Sequence, residues 1–348
     1  VANRTQNIRL ENVTCLNNFM FGSWIKLATN VTIDNCHFDY TWTDDPGSNI
    51  APAYPALLTY GMFFADGRRN GNTDPCNINV SVSNSTFNNT SIRGDYTTPI
   101  AANTLPYVCS GATENLNKNT TYTNCQFNSS SITFPNAVAA TSQSTGYLAG
   151  AIQDTTFIDC SFDDSWNLGS VNGCHISGSQ GNTPIKSAKN IKFINCTANN
   201  LQCRTDLILP ASPVNTRSVQ GYNIAFIKDL YMEGCQSADL YTSGPTGVGS
   251  FNAAFAPNSS SGAPATQLEN WVFKNCTAAR VRAVDGGLAL GFNTFVPSGN
   301  SAQSLIYENC ESTGHQALLN SVYPTWVAGT YSVGALVSSG GVNYVSTA

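Results

Sequence analysis

Short runs of alternating apolar and polar residues recur along the chain, each closed by Asn, Asp or Gly and most often by Cys. Val31-Thr32-Ile33-Asp34-Asn35-Cys36, Thr121-Tyr122-Thr123-Asn124-Cys125, Thr156-Phe157-Ile158-Asp159-Cys160 and Ile191-Lys192-Phe193-Ile194-Asn195-Cys196 set the pattern. Leu230 to Cys235, Trp271 to Cys276 and Leu305 to Cys310 continue it, Val82-Ser83-Asn84-Ser85 fits with Ser in place of Cys, and Val13-Thr14-Cys15 reads as one more copy. A period of two in β-branched and aromatic residues predicts a strand. Asn and Asp tolerate a left-handed backbone, so a sharp corner is expected behind each strand. A small Cys beside that corner can point inward and stack on its copy in the next repeat. Cys36, Cys125, Cys160, Cys196, Cys235, Cys276 and Cys310 are thus expected to form a structural ladder of free thiols.

From Cys125 onward the phrase returns at intervals of about 34 to 41 residues, a period that means a solenoid, a propeller or an array. Phe251-Asn252-Ala253-Ala254-Phe255-Ala256-Pro257 and Phe292-Asn293-Thr294-Phe295-Val296-Pro297 repeat one coil. Helical repeats are excluded, because apolar residues do not recur at three- and four-residue spacing and Gly and Pro interrupt the candidate windows. No propeller-blade signature recurs. The expectation is an all-β stack over residues 1–320, its Gly/Pro/Ser-rich segments projecting as loops that would read a ligand.

Only 11% of the residues are charged, against about 25% in ordinary soluble domains. The net charge is -5 and no Lys/Arg run offers itself to phosphates, which argues against nucleic acid as a partner. No stretch reaches the roughly 18 apolar residues of a membrane span. The 12 cysteines sit mostly in one repeated context, which marks a repeat and not a disulfide framework. Cys76, Cys109, Cys174 and Cys203 lie outside that context, and disulfides among them stay open. With Val1 first and no closing signal at Ala348, the chain reads as part of a longer polypeptide.

Asn-Cys after a short apolar strand, in a chain rich in Asn, Ser, Thr and Gly, resembles the right-handed parallel β-helix, or pectin-lyase-like, family over residues 1–320. That resemblance implies a right-handed parallel β-helix with an Asn/Cys ladder. It leaves function open, since the family holds polysaccharide lyases, glycoside hydrolases, tailspikes, virion spikes and adhesins. After Tyr323 the style changes: Trp326, Gly329-Thr330-Tyr331 and Gly340-Gly341-Val342-Asn343-Tyr344 resemble the start of a small chitin-binding-like carbohydrate module, incomplete within residues 321–348. By that resemblance Trp326, Tyr331 and Tyr344 offer faces for sugar rings. They serve equally as the module's own core.

Hydrolysis of a polysaccharide needs two carboxylates at a set separation. Asn72-Thr73-Asp74, Asp163-Asp164 and Gly314-His315 share residues with polygalacturonase motifs but are spaced too widely, and the matching basic motif is absent. The remaining candidates are Asp163, Asp164, Asp206 and Asp239, gathered from neighbouring coils about 4.8 Å apart. Arg280, Arg282 and Asp285 read as a surface ion cluster of small energetic weight. His37, His175 and His315 share no metal spacing, and neither a metal nor a cofactor is expected. Sequons such as those at Asn12, Asn30 and Asn119 follow from composition, and Asn195 and Asn275, taken as buried corner residues, are expected to be poor glycan acceptors.

The reading that follows is an extracellular or virion-surface structural and attachment protein: a spike, fibre or tailspike segment that displays glycan-binding loops. By the resemblance it would be a homotrimer whose partner is a cell-surface or extracellular glycan. The alternatives are a polysaccharide depolymerase, hydrolase or lyase, with its carboxylates brought together from separate coils, and a secreted bacterial adhesin.

Overall fold

In the computed structural model of the chain, the residues described are 4–43, 58–65, 77–92, 107–113, 117–132, 143–150, 152–167, 169–177, 188–204, 218–225, 227–243, 250–258, 269–284, 287–293, 303–317, 336–339 and 342–345. The Gly/Pro/Ser-rich segments expected to project fall largely outside them.

The chain winds through three parallel sheets, adding one strand to each per coil, and is a parallel β-helix. The first face runs Thr5–Glu11, Ala28–Asp34, Asn77–Ser83, Asn117–Thr123, Ile152–Ile158, Ala188–Ile194, Ile227–Glu233, Glu269–Lys274 and Gln303–Glu308. The second runs Trp42–Thr43, Ser91–Ile92, Ser131–Ile132, Trp166–Asn167, Leu201–Arg204, Gln236–Ser243, Thr277–Ala283 and Glu311–Thr313, with Gln316–Ala317 beside Thr277–Ala283. The third runs Phe21–Lys26, Leu58–Ala65, Tyr107–Thr113, Gln143–Ala149, Ser170–Ser177, Ser218–Ala225, Phe251–Asn258 and Leu288–Phe292. Coil length varies widely: bonded partners stand 23 residues apart at Asn12 and Asn35 but 49 apart at Cys36 and Ser85.

What turns the chain is a left-handed residue at every fifth position. Asn30, Asn35 and Tyr40 have φ of 57°, 49° and 58°, and Asn190, Asn195 and Asn200 have 52°, 52° and 53°. Asn and Asp hold most of these sites because their short side chains offset part of the left-handed penalty with local hydrogen bonds. Those bonds run from coil to coil. Asn30, Asn79 and Asn119 each donate Nδ2–H to Oδ1 of the Asn one coil earlier, at 3.0, 3.0 and 2.8 Å. Asn195 is exposed and donates in the same way to Asp159 at 3.2 Å, and Asn275 is exposed as well. This corrects the buried position expected for both: the corner turns the Asn outward, and the next residue turns in.

That next residue is Cys36, Ser85, Cys125, Cys160, Cys196, Cys235, Cys276 or Cys310. Their thiols are free, and each donates to the carbonyl two residues earlier, from 3.3 Å in Cys36 to 3.5 Å in Cys310. Ser85 donates to the Ser83 carbonyl at 2.6 Å from the equivalent site. Cys15 stands elsewhere. Its strand partner is Phe38, so the Val13-Thr14-Cys15 alignment is shifted by two residues, and Val13 occupies the thiol site. Cys109, Cys174 and Cys203 are also buried and in no disulfide, and Cys76 lies outside the described residues.

Aromatic rings fill the interior in register. Phe38, Phe87, Phe127 and Phe162 stack at 5.7, 5.2 and 5.6 Å between centroids, and Tyr122, Phe157 and Phe193 at 4.8 and 4.8 Å. Each such pair adds about 0.5–1.5 kcal/mol beyond area burial. Opposite them the third face presents a small-residue column: Gly22, Gly61, Ser110, Gly146, Gly173, Gly221, Ala254 and Gly291. Here the faces nearly touch, and a Cβ on Gly173 would stand 2.7 Å from the Cβ of Ala198. At the far end, Leu336–Ser339 and Val342–Val345 form an antiparallel pair.

Candidate functional site

The small-residue column fixes where the neighbouring side chains go. Two residues beyond each of its members the third face points outward. Strand register lines these positions up as Trp24, Phe63, Ala112, Leu148, His175, Asn223 and Ala256. Beside this column runs a second one, Phe21, Tyr60, Cys109, Thr145, Asn172 and Gln220. Together they carry an apolar cluster separate from the main core, built on Tyr60, Cys109 and Ala112 with Phe21, Phe63 and Leu148 packed against it.

The two columns differ in access. Tyr60, Cys109, Thr145, Asn172 and Gln220 are buried and Phe21 half-buried, whereas in the outward column Trp24 is 53% exposed, Phe63, Leu148, His175 and Asn223 are half-buried, and Ala112 and Ala256 are buried. At one end four rings meet. Tyr60 stacks on Phe63 at 4.6 Å, Phe21 on Phe63 at 5.9 Å, and Trp24 lies 4.9 Å from Phe21 and 6.0 Å from Phe63. Two and three coils beyond Ala112 the surface turns polar. His175 Nδ1 pairs with Gln143 Nε2 at 2.9 Å, and Asn223 Nδ2 donates to Asn172 Oδ1 at 3.2 Å. Since an amide nitrogen only donates, His175 Nδ1 accepts and its proton sits on Nε2. Burial lowers the His175 pKa to about 4, which keeps the ring neutral.

The carboxylates expected from the sequence serve the corners. Asp163 Oδ1 accepts the backbone N–H of Asn199 at 2.6 Å and its Oδ2 the Thr197 hydroxyl at 2.9 Å. Burial raises its pKa, against the opposing pull of those two bonds. Asp39 makes the same pair of contacts to Asn88 and Thr86, at 2.7 and 2.8 Å, so the arrangement is a repeated structural device. Asp164 accepts from Asn200 Nδ2 at 2.8 Å. Asp239 receives both Nε and Nη2 of Arg280 at 2.6 Å, and these bonds lower its pKa. Asn200 stands between Asp164 and Asp239 in one corner column, so those carboxylates are two coils, about 9.6 Å, apart. Asp206 lies outside the described residues.

His315 shows the same economy. Val281 N–H donates to its Nδ1 at 3.3 Å, so its proton sits on Nε2, which faces Ser312 Oγ at 2.7 Å. A protonated nitrogen cannot take the serine proton, and the pair is not an activated nucleophile. Trp326 and Tyr331 lie outside the described residues, and Tyr344 belongs to the strand Val342–Val345. Among the described residues no group of three or more His, Cys, Asp or Glu is placed to hold a metal, and no helix is long and apolar enough to cross a membrane.

The outward column escaped the sequence reading, which aligned the chain on Asn-Cys. Alignment on glycine exposes it: Gly22-Ser23-Trp24, Gly61-Met62-Phe63, Gly146-Tyr147-Leu148, Gly173-Cys174-His175 and Gly221-Tyr222-Asn223 place the outward residue at the same offset.

No protein-family model and no curated protein sequence matches the chain. Among solved structures it is similar to the tailspike protein gp49 from Pseudomonas phage LKA1, at 10% identity and a TM-score of 0.20, over 78% of this chain and 50% of that one. The chain therefore spans half the length of that tailspike. It is also similar to the A-module of the mannuronan C-5 epimerase AlgE6 of Azotobacter vinelandii, at 10% identity and a TM-score of 0.25, over 91% and 84% of the two chains. A third is HetL, a pentapeptide repeat protein from Nostoc sp. strain PCC 7120, at 12% identity and a TM-score of 0.13, over 66% and 89%. The assignment of a parallel β-helix rests on the register of the chain's own strands.

Proposed function

We propose that the protein is a non-catalytic attachment protein whose β-helix is a rigid stalk that binds glycans along the outer face of its third sheet. The observation that supports this reading is the column that runs from the exposed Trp24 through the half-buried Phe63 and Leu148 to the half-buried His175 and Asn223, over the buried Ala112. Aromatic faces stack on the apolar faces of sugar rings, and amide and imidazole groups bond sugar hydroxyls. The engagement of Asp163, Asp164 and Asp239 in corner bonds favours binding over cleavage. In this reading the chain belongs to a virion spike, fibre or tailspike, is extracellular and assembles as a homotrimer. The segment 321–348, with Trp326, Tyr331 and Tyr344, adds a second glycan contact.

The test is a panel of polysaccharides, measured for bound protein and for released reducing or unsaturated ends. Binding without release, lost in Trp24→Ala at unchanged melting temperature, is the expected result. Released oligosaccharides, abolished by Asp164→Asn or Asp239→Asn, would replace attachment by depolymerisation. Sedimentation at a mass of one 37.0 kDa chain would remove the trimer.

A further inference from the structure

The three faces of the coil differ in charge. Strands of the first face carry Arg9, Glu11, Asp34, Lys192, Glu233, Lys274 and other ionic residues. The eight strands of the third face carry one, Lys26, beside the ring cluster. At the half-buried polar end of the column the polar groups are neutral and each bears a donor: the Asn223 amide, the Nε2–H of His175 and the amide of Gln143, which bonds His175 from outside the column. The ring cluster and this polar end are joined by the small side chain of Ala112 and by Leu148, so the column from Trp24 to Asn223 spans five coil steps, about 24 Å.

We infer that the outer face of the third sheet is selective for an uncharged glycan, laid along the coil axis with its rings over Trp24 and Phe63 and its hydroxyls on His175 and Asn223. This inference rests on the glycan-binding reading above and adds the ligand class. A uronate or sulfate brought here meets no guanidinium among the described residues of the face to replace its hydration, and desolvating an unpaired anion is costly. A cationic amino-sugar polymer meets no carboxylate among the described residues of the face. Neutral hydroxyls lose nothing comparable.

The experiment compares neutral glucan, galactan and mannan with an uronate polymer, a sulfated galactan and a deacetylated amino-sugar polymer, using the full chain and its Trp24→Ala and Asn223→Asp variants. Neutral chains are expected to bind at least about tenfold tighter than the charged ones, with affinity flat between low salt and about 0.5 M, since no ion pairs are screened. Binding to them should fall in both variants. Tighter, salt-sensitive binding of a charged polymer that Trp24→Ala still abolishes would overturn the ligand class and leave the glycan site standing. Glycan binding that Trp24→Ala leaves untouched, or none at all, would overturn the site itself.

Discussion

Asp163 Oδ1 accepts the backbone N–H of Asn199, one coil on, at 2.6 Å. Asn128 does the same for the N–H of Asp163 at 2.8 Å, and Asn88 for that of Asn128 at 3.0 Å. One side-chain oxygen per coil thus caps the same corner, and the chemistry needs only an acceptor. Asp163→Ala leaves the Asn199 N–H without a partner in a partly buried corner and should cost about 1–3 kcal/mol. Asp163→Asn keeps the acceptor and should stay near wild type. Denaturant unfolding of the two variants checks this. A silent Asp163→Ala would show that the bond contributes nothing and would return Asp163 to the catalytic candidates.

The thiol column admits a similar comparison. Cys196 donates to the Ile194 and Phe157 carbonyls at 3.3 and 3.5 Å, and Ser85 fills the equivalent site two coils before Cys160. Cys196→Ser should therefore lower stability by less than about 1.5 kcal/mol, the scale of one hydrogen bond. Cys196→Leu overpacks a fully buried site and should cost about 1–3 kcal/mol. Among the described cysteines only Cys15 and Cys310 are not buried, so these two should react first with a thiol reagent in the native protein. Rapid labelling of Cys196 at native conditions would show that the stack opens.

Close approach of two faces leaves little room for a side chain at Gly221. A Cβ there would lie 2.5 Å from the Ala254 carbonyl oxygen and run into the Ser237 hydroxyl. Backbone cannot give way inside a stacked sheet, so Gly221→Ala should destabilise by about 1–3 kcal/mol or more. Adding Ser237→Ala removes only the softer of the two clashes, and the double variant should recover part of the loss. Full recovery would mean that the carbonyl contact is no constraint. The measurement is the melting temperature of the single and double variants.

These residues also show what the sequence makes legible. The strand with its Asn-Cys corner can be read because residue identity repeats there: the thiol site accepts only small side chains, and the left-handed corner favours Asn or Asp. The third corner of each coil is equally left-handed but is held by Asn17, Tyr40, Asn89, Ser129, Asp164, Asn200, Asp239, Arg280 or Gly314, so the five-residue spacing is partly masked by changing chemistry. The outward column is harder still. Its members lie 39 residues apart at Trp24 and Phe63 but 27 apart at Leu148 and His175, and no fixed period aligns them before the strands are paired. The two-coil separation of Asp164 and Asp239 is hidden for a related reason: counting residues cannot reveal that a coil carrying Asn200 stands between them.

His175 sets the response to acid. Its ring accepts from Gln143 and packs beside Leu148 and Asn223 on neighbouring strands, and burial lowers its pKa to about 4 from an ordinary 6.5. Between those values the unfolded chain takes up a proton that the folded chain refuses. Stability therefore rises with pH across that window and is lost as pH falls from 6.5 towards 4. Below pH 4 both states are protonated and this contribution levels off. His175→Gln keeps a neutral acceptor for Gln143 but cannot titrate, so its melting temperature should fall less than that of the wild type between pH 6.5 and 4. Carboxylates such as Asp239, whose pKa is lowered by Arg280, act on both proteins alike and cancel in the difference. Parallel melting curves across the window would mean that His175 is charged in the folded protein, and would also remove the neutral donor from the polar end of the column.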